Sequence, residues 1–201
     1  MGEGQGEGKI KFMPNKQRCQ WVGNNPLMIE YHDKEWGLPL FDDKKIFEAI
    51  ILDSFQAGLS WNTIMNKREN FRKAFTNFDV GKVAKFNDKK IHELMNDAGI
   101  IRNKLKINAA VTNAQLFITV QKEFGSFSNY IWQFVNHKPI INNRKHIKEV
   151  PSFTKESDTM SKDMKKRGFK FCGTTICYAF MQAVGMVNDH TVDCFRCKDV
   201  V

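Results

Sequence analysis

Residues 94–110 have the sequence LMNDAGIIRNKLKINAA, and this stretch decides the fold that we predict for the chain. Apolar residues at helical spacing precede Gly99, and a second helical pattern begins a few residues after it. The sequence therefore predicts two helices joined by a tight turn at residues 99–101. Arg102 and Lys104 follow this turn directly, which adds two cations beside the N–H groups at the start of the second helix.

Such a turn is typical of a helix-hairpin-helix element that binds DNA phosphates through backbone N–H groups and basic side chains. The usual second glycine of the hairpin is missing, because Arg102 occupies its place. An ordinary corner between two helices is the alternative interpretation.

Helical patterns extend through nearly the whole chain, so we predict an all-α fold. The predicted N-caps are Asp42 or Asp43 and Asn87 or Asp88, the predicted C-cap is Gly99, and Ser157 is predicted to open a helix. The predicted helices cover about residues 43–58, 60–75, 88–99, 102–124, 127–135, 157–168 and 174–184.

Composition and charge narrow the function classes. The chain has 201 residues, of which 42% are hydrophobic, and this excludes a disordered or collagen-like protein. Its formal net charge of +9 favours a polyanionic partner. Residues 31–53 are acidic (net −3), whereas residues 82–106 (net +4) and 144–170 (net +5) are basic. This division predicts a phosphate-binding rim around a pocket for a cationic group; solvated helix faces are the alternative.

The sequence shows no signal peptide and no membrane span, so we expect a cytoplasmic protein without a membrane partner. Five Cys, an odd number, favour reduced thiols over a disulfide framework. Cys172 and Cys177 lie in an apolar region and are predicted core residues. Residues 1–17 are predicted to be a flexible tail, and residues 18–201 a single domain of two helical lobes around a pocket.

Four residues at the two ends of the chain form a candidate metal site. Cys19 and His32 lie near the start, whereas His190 and Cys194 are spaced i, i+4 near the end, which allows chelation from one helical face. Together they would make a closed Cys2His2 zinc site, which leaves no position for a catalytic water and is therefore structural. The alternative is two unrelated histidines with two buried or idle cysteines. Cys197 could replace Cys194 or pair with it.

Asp53 lies on the apolar face of its predicted helix, seven residues after Ile46 and three after Ile50. A buried carboxylate is unfavourable unless it meets a cation, a donor or a ligand. Nearby aromatic residues would complete a pocket for a flat cationic heterocycle. In the alternative, Asp53 is partly exposed, caps backbone amides at the helix end, and the aromatics are core. The aromatic residues are Trp21, Tyr31, Trp36 and Trp61.

Eight short segments follow one another along the chain: CQWV (19–22), YHDKEWG (31–37), QAGLSW (56–61), DAGIIR (97–102), FVNH (134–137), KRGFKF (166–171), GTTICY (173–178) and NDH (188–190). Through these segments the chain resembles the bacterial 3-methyladenine DNA glycosylase I family over about residues 18–195. Several motifs in one order make the resemblance highly specific.

The resemblance implies a helix-hairpin-helix DNA glycosylase fold in which a zinc-binding snap joins the N- and C-terminal segments. It implies one structural Zn2+ per chain, with the ligands Cys19, His32, His190 and Cys194. It implies catalytic roles for Asp53 and Tyr31, and base binding by Trp61, Trp21 and Trp36. The DNA-binding residues that it implies are Gln56, Gly58, Leu59, Gly99, Ile101, Arg102 and Lys104.

The implied reaction hydrolyses the N-glycosidic bond of 3-methyladenine in alkylated double-stranded DNA and releases the free base, as a step of base-excision repair. Methylation at N3 gives the base a positive charge, so the enzyme has to extrude the nucleotide but need not protonate the base. Because no lysine in the pattern requires a Schiff-base role, we predict a monofunctional glycosylase without lyase activity. We expect a monomer.

The chain departs from the family pattern at two positions. A family member has glutamate where this chain has Asp53, so the carboxylate reaches one methylene less far. This difference puts the strength of the base contact and the choice among methylated purines in question. Met28 stands where an aromatic residue occurs in the same relative.

Two other function classes fit parts of the sequence. A non-catalytic zinc-containing DNA-binding or lesion-sensing protein would keep the basic segments and the zinc but give Asp53 no role. A zinc-dependent base deaminase is disfavoured, because the sequence has no H-x-E or P-C-x-x-C motif and a closed four-ligand site cannot activate water.

Overall fold

A computed structural model describes residues 16–198, so residues 1–15 of the predicted tail and residues 199–201 lie outside the described part. The described chain is mainly helical, which agrees with the predicted fold class. No helix within residues 16–198 is long and apolar enough to cross a membrane. The helices are α1 (Pro26–Lys34), α2 (Asp43–Gln56), α3 (Trp61–Met65), α4 (Arg68–Ala74), α5 (Val80–Val83), α6 (Asp88–Asn96), α7 (Lys104–Phe124), α8 (Phe127–Trp132), α9 (Lys155–Lys166) and α10 (Thr174–Ala183).

Short elements connect these helices. Four 3-10 helices span Gln20–Val22, Thr76–Phe78, Gln133–Val135 and Ile147–Glu149 within the described residues. Two strands, β1 (Ile140–Ile141) and β2 (Val187–Asn188), pair in parallel with Ile140 opposite Val187. The sequence does not predict this ladder. It fixes the segment that leads to His190 against the connection that follows α8.

Polar N-caps fix where the helices that carry functional residues begin. In α2, α6 and α7, the cap side chain accepts a hydrogen bond from the backbone N–H three residues later. The predicted caps Asp42 and Asn87 are thereby confirmed, and Asn103 is the cap of α7.

The prediction of one helix over residues 60–75 is wrong. Lys67 adopts φ −105° and ψ 0°, which separates α3 from α4. Apolar residues seven apart, such as Ile64 and Phe71, suit one continuous helix and two successive helices equally well. Tertiary packing decides between them, because α3 packs against α1 and α2 whereas α4 packs against the 3-10 helix Thr76–Phe78.

Two predicted helix ends also need correction. The helix α6 ends with Asp97 as its C-cap rather than Gly99, and the Asp97 carboxylate accepts a hydrogen bond from the backbone N–H of Gly99 at 2.7 Å. The helix predicted to open at Ser157 has Thr154 as its N-cap, and Ser157 is the third helical residue, where it completes a capping box.

The main hydrophobic core is built around α2, α7 and α10, with Ile46, Phe117 and Met181 fully or almost fully buried. Trp61 packs against this core and also against a second, smaller cluster. The candidate site described next lies where the two clusters meet. The buried members of the second cluster are Cys19, Val22, Met28, Tyr31, Trp36, Met65 and Cys194.

Candidate active site and metal centre

The four residues of the predicted metal set come together in the folded chain. Cys19, His32, His190 and Cys194 are all buried, and one potential ligand atom from each lies within 4.8 Å of the others. Cys19 precedes the first 3-10 helix, His32 lies in α1, and the other two follow β2. Backbone hydrogen bonds from Gly37 to Gln182 and from Phe195 to Gln17 hold the C-terminal segment against the N-terminal one.

Three of the spacings between these atoms match those around a tetrahedral zinc ion. Cys194 Sγ lies 3.4 Å from His32 Nε2 and 3.5 Å from His190 Nδ1, and Cys19 Sγ lies 3.5 Å from the same Nδ1. Bonds of about 2.0–2.3 Å to zinc require ligand atoms about 3.3–3.8 Å apart at the corners of a tetrahedron. The distances and the two-sulfur, two-nitrogen donor set therefore suit zinc.

The outer nitrogens of both imidazoles have acceptors that fix their tautomers. His32 Nδ1 donates to the Asp33 carboxylate at 2.9 Å, and His190 Nε2 donates to the carbonyl of Trp36 at 3.1 Å. The nitrogens that face the thiols are therefore free to bind a metal. Gly37 has φ +77°, and a Cβ there would lie 2.8 Å from His190 Nε2, so only glycine fits beside this ring.

A second site, the aromatic cavity, lies next to the metal cluster and has a volume of about 290 Å³. It brings together the predicted catalytic and base-binding residues from the first 3-10 helix, the region of α1, α2 and α3. The edge of Trp21 meets the ring of Trp36 at a centroid distance of 4.9 Å, and Tyr31 lies 5.4 Å from Trp61. The lining residues are Trp21, Tyr31, Trp36, Asp53, Gln56, Trp61, Ile147, Val150, Ala179 and Gln182.

Asp53 is the charged group of the aromatic cavity. It is 3% exposed, which excludes the alternative of a partly exposed helix-end cap. Its Oδ2 has no hydrogen-bond partner among the described residues, and neither do the indole N–H groups of Trp21 and Trp61. Burial raises the pKa of the Asp53 carboxyl well above its usual value. One acceptor and two donors are thus left for a ligand that carries both kinds of polar atom.

Tyr31 completes the polar part of the cavity. Burial raises the pKa of its phenol well above the usual value, and the charges of Asp53 and Glu35 raise it further, while Arg68 opposes them. The hydroxyl therefore remains protonated and can donate a hydrogen bond. Arg68 in turn forms a bidentate pair with Glu35, with both distances 2.7 Å, and bonds Glu48 at 2.7 Å, so the charges behind Tyr31 are paired.

The sequence did not point to Gln182, which comes from α10. Its Nε2 donates to the Asp189 carboxylate at 2.8 Å. This bond fixes the orientation of the Gln182 amide, because the opposite orientation would place its Oε1 against the carboxylate oxygen. Asp189 also accepts from Tyr178, Asn142 and Arg144, and it immediately precedes His190 in sequence. The sequence feature that could have indicated Gln182 is its polarity within the apolar segment TTICYAFMQAV. No sequence feature indicates that Ile147 and Val150 line the cavity.

The predicted DNA-binding residues occupy two exposed places. Gln56 is the half-buried last residue of α2, and Gly58 and Leu59 lie in the turn that follows it. Leu59 keeps 39% of its surface exposed. The others lie in or beside the connection between α6 and α7, which covers residues 97–103. In this second set Arg102 and Lys104 are exposed, whereas Gly99 and Ile101 are half-buried.

The chain matches a known protein family over most of its length. The sequence profile described as methyladenine glycosylase matches residues 21–197. This chain belongs to the methyladenine glycosylase family. One relative is DNA-3-methyladenine glycosylase 1 of Escherichia coli (strain K12), which is 50% identical over 178 residues, or 89% of this chain and 95% of the relative.

Solved structures show that methyladenine glycosylases share this fold. A crystal structure of 3-methyladenine DNA glycosylase I matches with a TM-score of 0.87 at 46% identity, covering 89% of this chain and 98% of the other. A Tyr-to-Phe variant of 3-methyladenine DNA glycosylase I, in complex with 3-methyladenine, matches with a TM-score of 0.86 at 35% identity, covering 89% and 96%.

Proposed function

We propose that this methyladenine glycosylase hydrolyses the N-glycosidic bond of 3-methyladenine in alkylated double-stranded DNA and so starts base-excision repair. The names of its relatives and the bound 3-methyladenine of a similar structure support this function. The observation that carries it to particular residues is the unpartnered Asp53 oxygen in an aromatic cavity. We place the enzyme in the cytoplasm as a monomer, with residues 1–17 as a tail and 18–201 as one glycosylase domain.

The reaction does not require protonation of the base by an acid catalyst, because a 3-methylated adenine in DNA already carries a positive charge. Its glycosidic bond therefore breaks readily. Asp53 stabilises this cation, and the Tyr31 hydroxyl donates to the base. Trp61 stacks on the base, a contact worth roughly 1–3 kcal/mol, while Trp21 and Trp36 enclose it. Neutral adenine lacks the charge, so it gains less from the buried carboxylate.

Two exposed segments would contact the DNA. Residues 56–59, here called the insertion turn, would fill the gap left by the extruded nucleotide. The connection 97–103 together with Lys104, here called the phosphate loop, would bind backbone phosphates as a helix-hairpin-helix element through Gly99, Ile101, Arg102 and Lys104. The phosphate loop leads directly into the N-terminus of α7, where free N–H groups attract anions.

We further propose that the glycosylase is monofunctional. A lyase step needs an amine nucleophile at the sugar, and no lysine lines the aromatic cavity in the described part of the chain. The buried amine of Lys106 instead donates to two backbone carbonyls.

We propose that Cys19, His32, His190 and Cys194 hold one structural Zn2+ that fastens the two ends of the chain together. The four-ligand set leaves no open coordination position, so the ion would contribute stability and take no part in hydrolysis.

Release of free 3-methyladenine from alkylated duplex DNA tests the proposed function directly. We expect the purified enzyme to release the base and to leave an abasic site without cutting the strand. A non-catalytic lesion sensor would bind the same DNA and release nothing. Strand cleavage in step with base release would overturn the monofunctional assignment.

Leu59→Ala is expected to slow single-turnover excision from duplex DNA about tenfold, because extrusion costs a few kcal/mol and each 1.4 kcal/mol changes a rate about tenfold. Leu59 is exposed, so the melting temperature should stay unchanged, as should the affinity for free 3-methyladenine measured by tryptophan fluorescence. Leu27→Ala is the matched control, since Leu27 is similarly exposed, at 44%, on α1. Equal rates for both variants would show that the turn does not assist extrusion.

A further inference from the structure

Lys106 is a buried lysine near the start of α7, with 7% of its surface exposed. Its Nζ donates hydrogen bonds to the carbonyl oxygens of Phe55 at 2.8 Å and Ala57 at 2.6 Å. Phe55 belongs to the last turn of α2, and Ala57 is its C-cap. The last carbonyls of a helix have no partner within it, so the ammonium group caps α2 where the insertion turn begins.

A second lysine makes the reverse connection. Lys67 lies between α3 and α4, separated from the insertion turn by α3, and its Nζ donates to the carbonyls of Ala98 at 3.0 Å and Gly99 at 3.3 Å. Both acceptors belong to the phosphate loop. Close packing accompanies these bonds, because a Cβ at Gly99 would lie only 3.1 Å from Cβ of Asn70 in α4.

We propose that Lys67 and Lys106 form a cross-brace that fixes the insertion turn relative to the phosphate loop, so that phosphate binding sets where the turn meets the duplex. The inference rests on the DNA contacts proposed above. Lys106 lies two residues after the phosphate loop and bonds the backbone where the insertion turn begins. Lys67 follows the insertion turn and α3, and it bonds the backbone of the phosphate loop. Four hydrogen bonds and the contact at Gly99 thus connect residues 55–70, which include the insertion turn, with residues 98–106, which include most of the phosphate loop.

Lys106 acts as a positioning residue and does not itself bind phosphate. Its ammonium is buried and directs two of its three protons to carbonyls, while Arg102 and Lys104 lie exposed beside it. Removing a phosphate contact would reduce the salt dependence of DNA binding by about one unit of slope. Removing the brace should leave that slope unchanged and slow extrusion.

The test is Lys106→Met, which keeps a long apolar stem and removes both hydrogen bonds. We expect single-turnover release of 3-methyladenine from duplex DNA to slow about tenfold, and 2-aminopurine placed next to the lesion to show reduced unstacking. We expect the affinity for free 3-methyladenine and the salt slope of DNA binding to match the unchanged enzyme. Lys106→Arg, which retains the charge and the donors, should recover most of the rate.

Lys122→Met is the matched control, since Lys122 lies exposed near the other end of α7, and its excision rate should be unaltered. Lys67→Met should reproduce the Lys106→Met effect. Because both lysines hold the same pair of segments, the double variant should lose less than the product of the single losses.

Three results would overturn the brace. One is a Lys106→Met excision rate within twofold of that of the unchanged enzyme, while Leu59→Ala slows excision. This result would leave the proposed role of the insertion turn intact and would refute only the brace. Another is a loss of affinity of Lys106→Met for free 3-methyladenine as large as its loss of excision rate, which would place the effect in the aromatic cavity. If neither Leu59→Ala nor Lys106→Met slows excision, the proposed DNA contact of the turn is itself wrong.

Discussion

Asp53→Asn is expected to reduce excision of 3-methyladenine at least about 100-fold and at the same time to stabilise the fold. The carboxylate is the only charge aimed at a cationic base among the residues that line the aromatic cavity, and losing one such preorganised group typically lowers a rate about 10²–10³-fold. DNA affinity should change little, because the proposed phosphate contacts lie elsewhere. Single-turnover release of the free base and a DNA-binding titration measure the two effects separately.

The stability gain has an electrostatic cause. Burial raises the pKa of Asp53 above its value in the unfolded chain, so near neutral pH folding must either desolvate a charge or take up a proton. An uncharged amide avoids that penalty, and we expect the free energy of unfolding at pH 7 to rise by about 1–3 kcal/mol.

The sign of the pH dependence follows from the same shift. Between the unfolded pKa of about 3.9 and the raised folded pKa, the folded state binds more protons, so this group lowers stability as pH rises. The difference between Asp53→Asn and the unchanged enzyme should therefore vanish below about pH 4. Conversely, kcat/KM should fall as pH decreases through the raised pKa, because the proposed reaction uses the ionised carboxylate.

Asp53→Glu is the control that keeps the carboxylate charge but lengthens the side chain by one methylene. It should retain far more activity than Asp53→Asn. Asp88→Asn, an exposed substitution in the first turn of α6, should leave excision unchanged. Normal excision by Asp53→Asn would contradict the catalytic assignment, and a loss of stability at pH 7 would contradict the electrostatic one.

Removing the proposed zinc should lower the free energy of unfolding by more than about 4 kcal/mol, a size of effect that loss of a structural metal can produce. In a chain of this length each kcal/mol shifts the melting temperature by roughly 2–4 °C. We therefore expect Cys194→Ala to melt about 10 °C lower and to contain no zinc by elemental analysis. The unchanged protein should contain about one equivalent.

Cys197→Ala is the matched control for the metal site. Cys197 is also buried, at 8% exposed, and lies three residues from Cys194, but it is not part of the four-residue cluster. Its zinc content should remain intact. Loss of zinc from this variant, with retention in Cys194→Ala, would show that Cys197 is the ligand. Less than about half an equivalent in the unchanged protein would refute the zinc site.

Local patterns in the sequence predicted most of the helices, because caps and apolar spacing act within a few residues. Asp42 and Asn87 are N-caps in the structure as predicted. Two errors were local, because Asp97 and Thr154 cap their helices in place of Gly99 and Ser157. The third occurred where neighbouring segments overruled a local pattern. At Lys67 the chain leaves the predicted helix because α3 and α4 pack against different elements. The ammonium of Lys67 bonds the backbone of the phosphate loop, about 30 residues away.

The sequence by itself determined the family motifs, the helical fold class and the types of residue at the site. Only the tertiary structure decided which of them meet. Cys19 and His190 are 171 residues apart, yet their ligand atoms lie 3.5 Å apart. The spacing of residues within one helix does not predict such contacts, because they depend on how whole helices and connections pack against one another. The same holds for the seclusion of Asp53 and for Lys106 on the α2 carbonyls, since burial and long-range hydrogen bonds exist only once the elements have assembled.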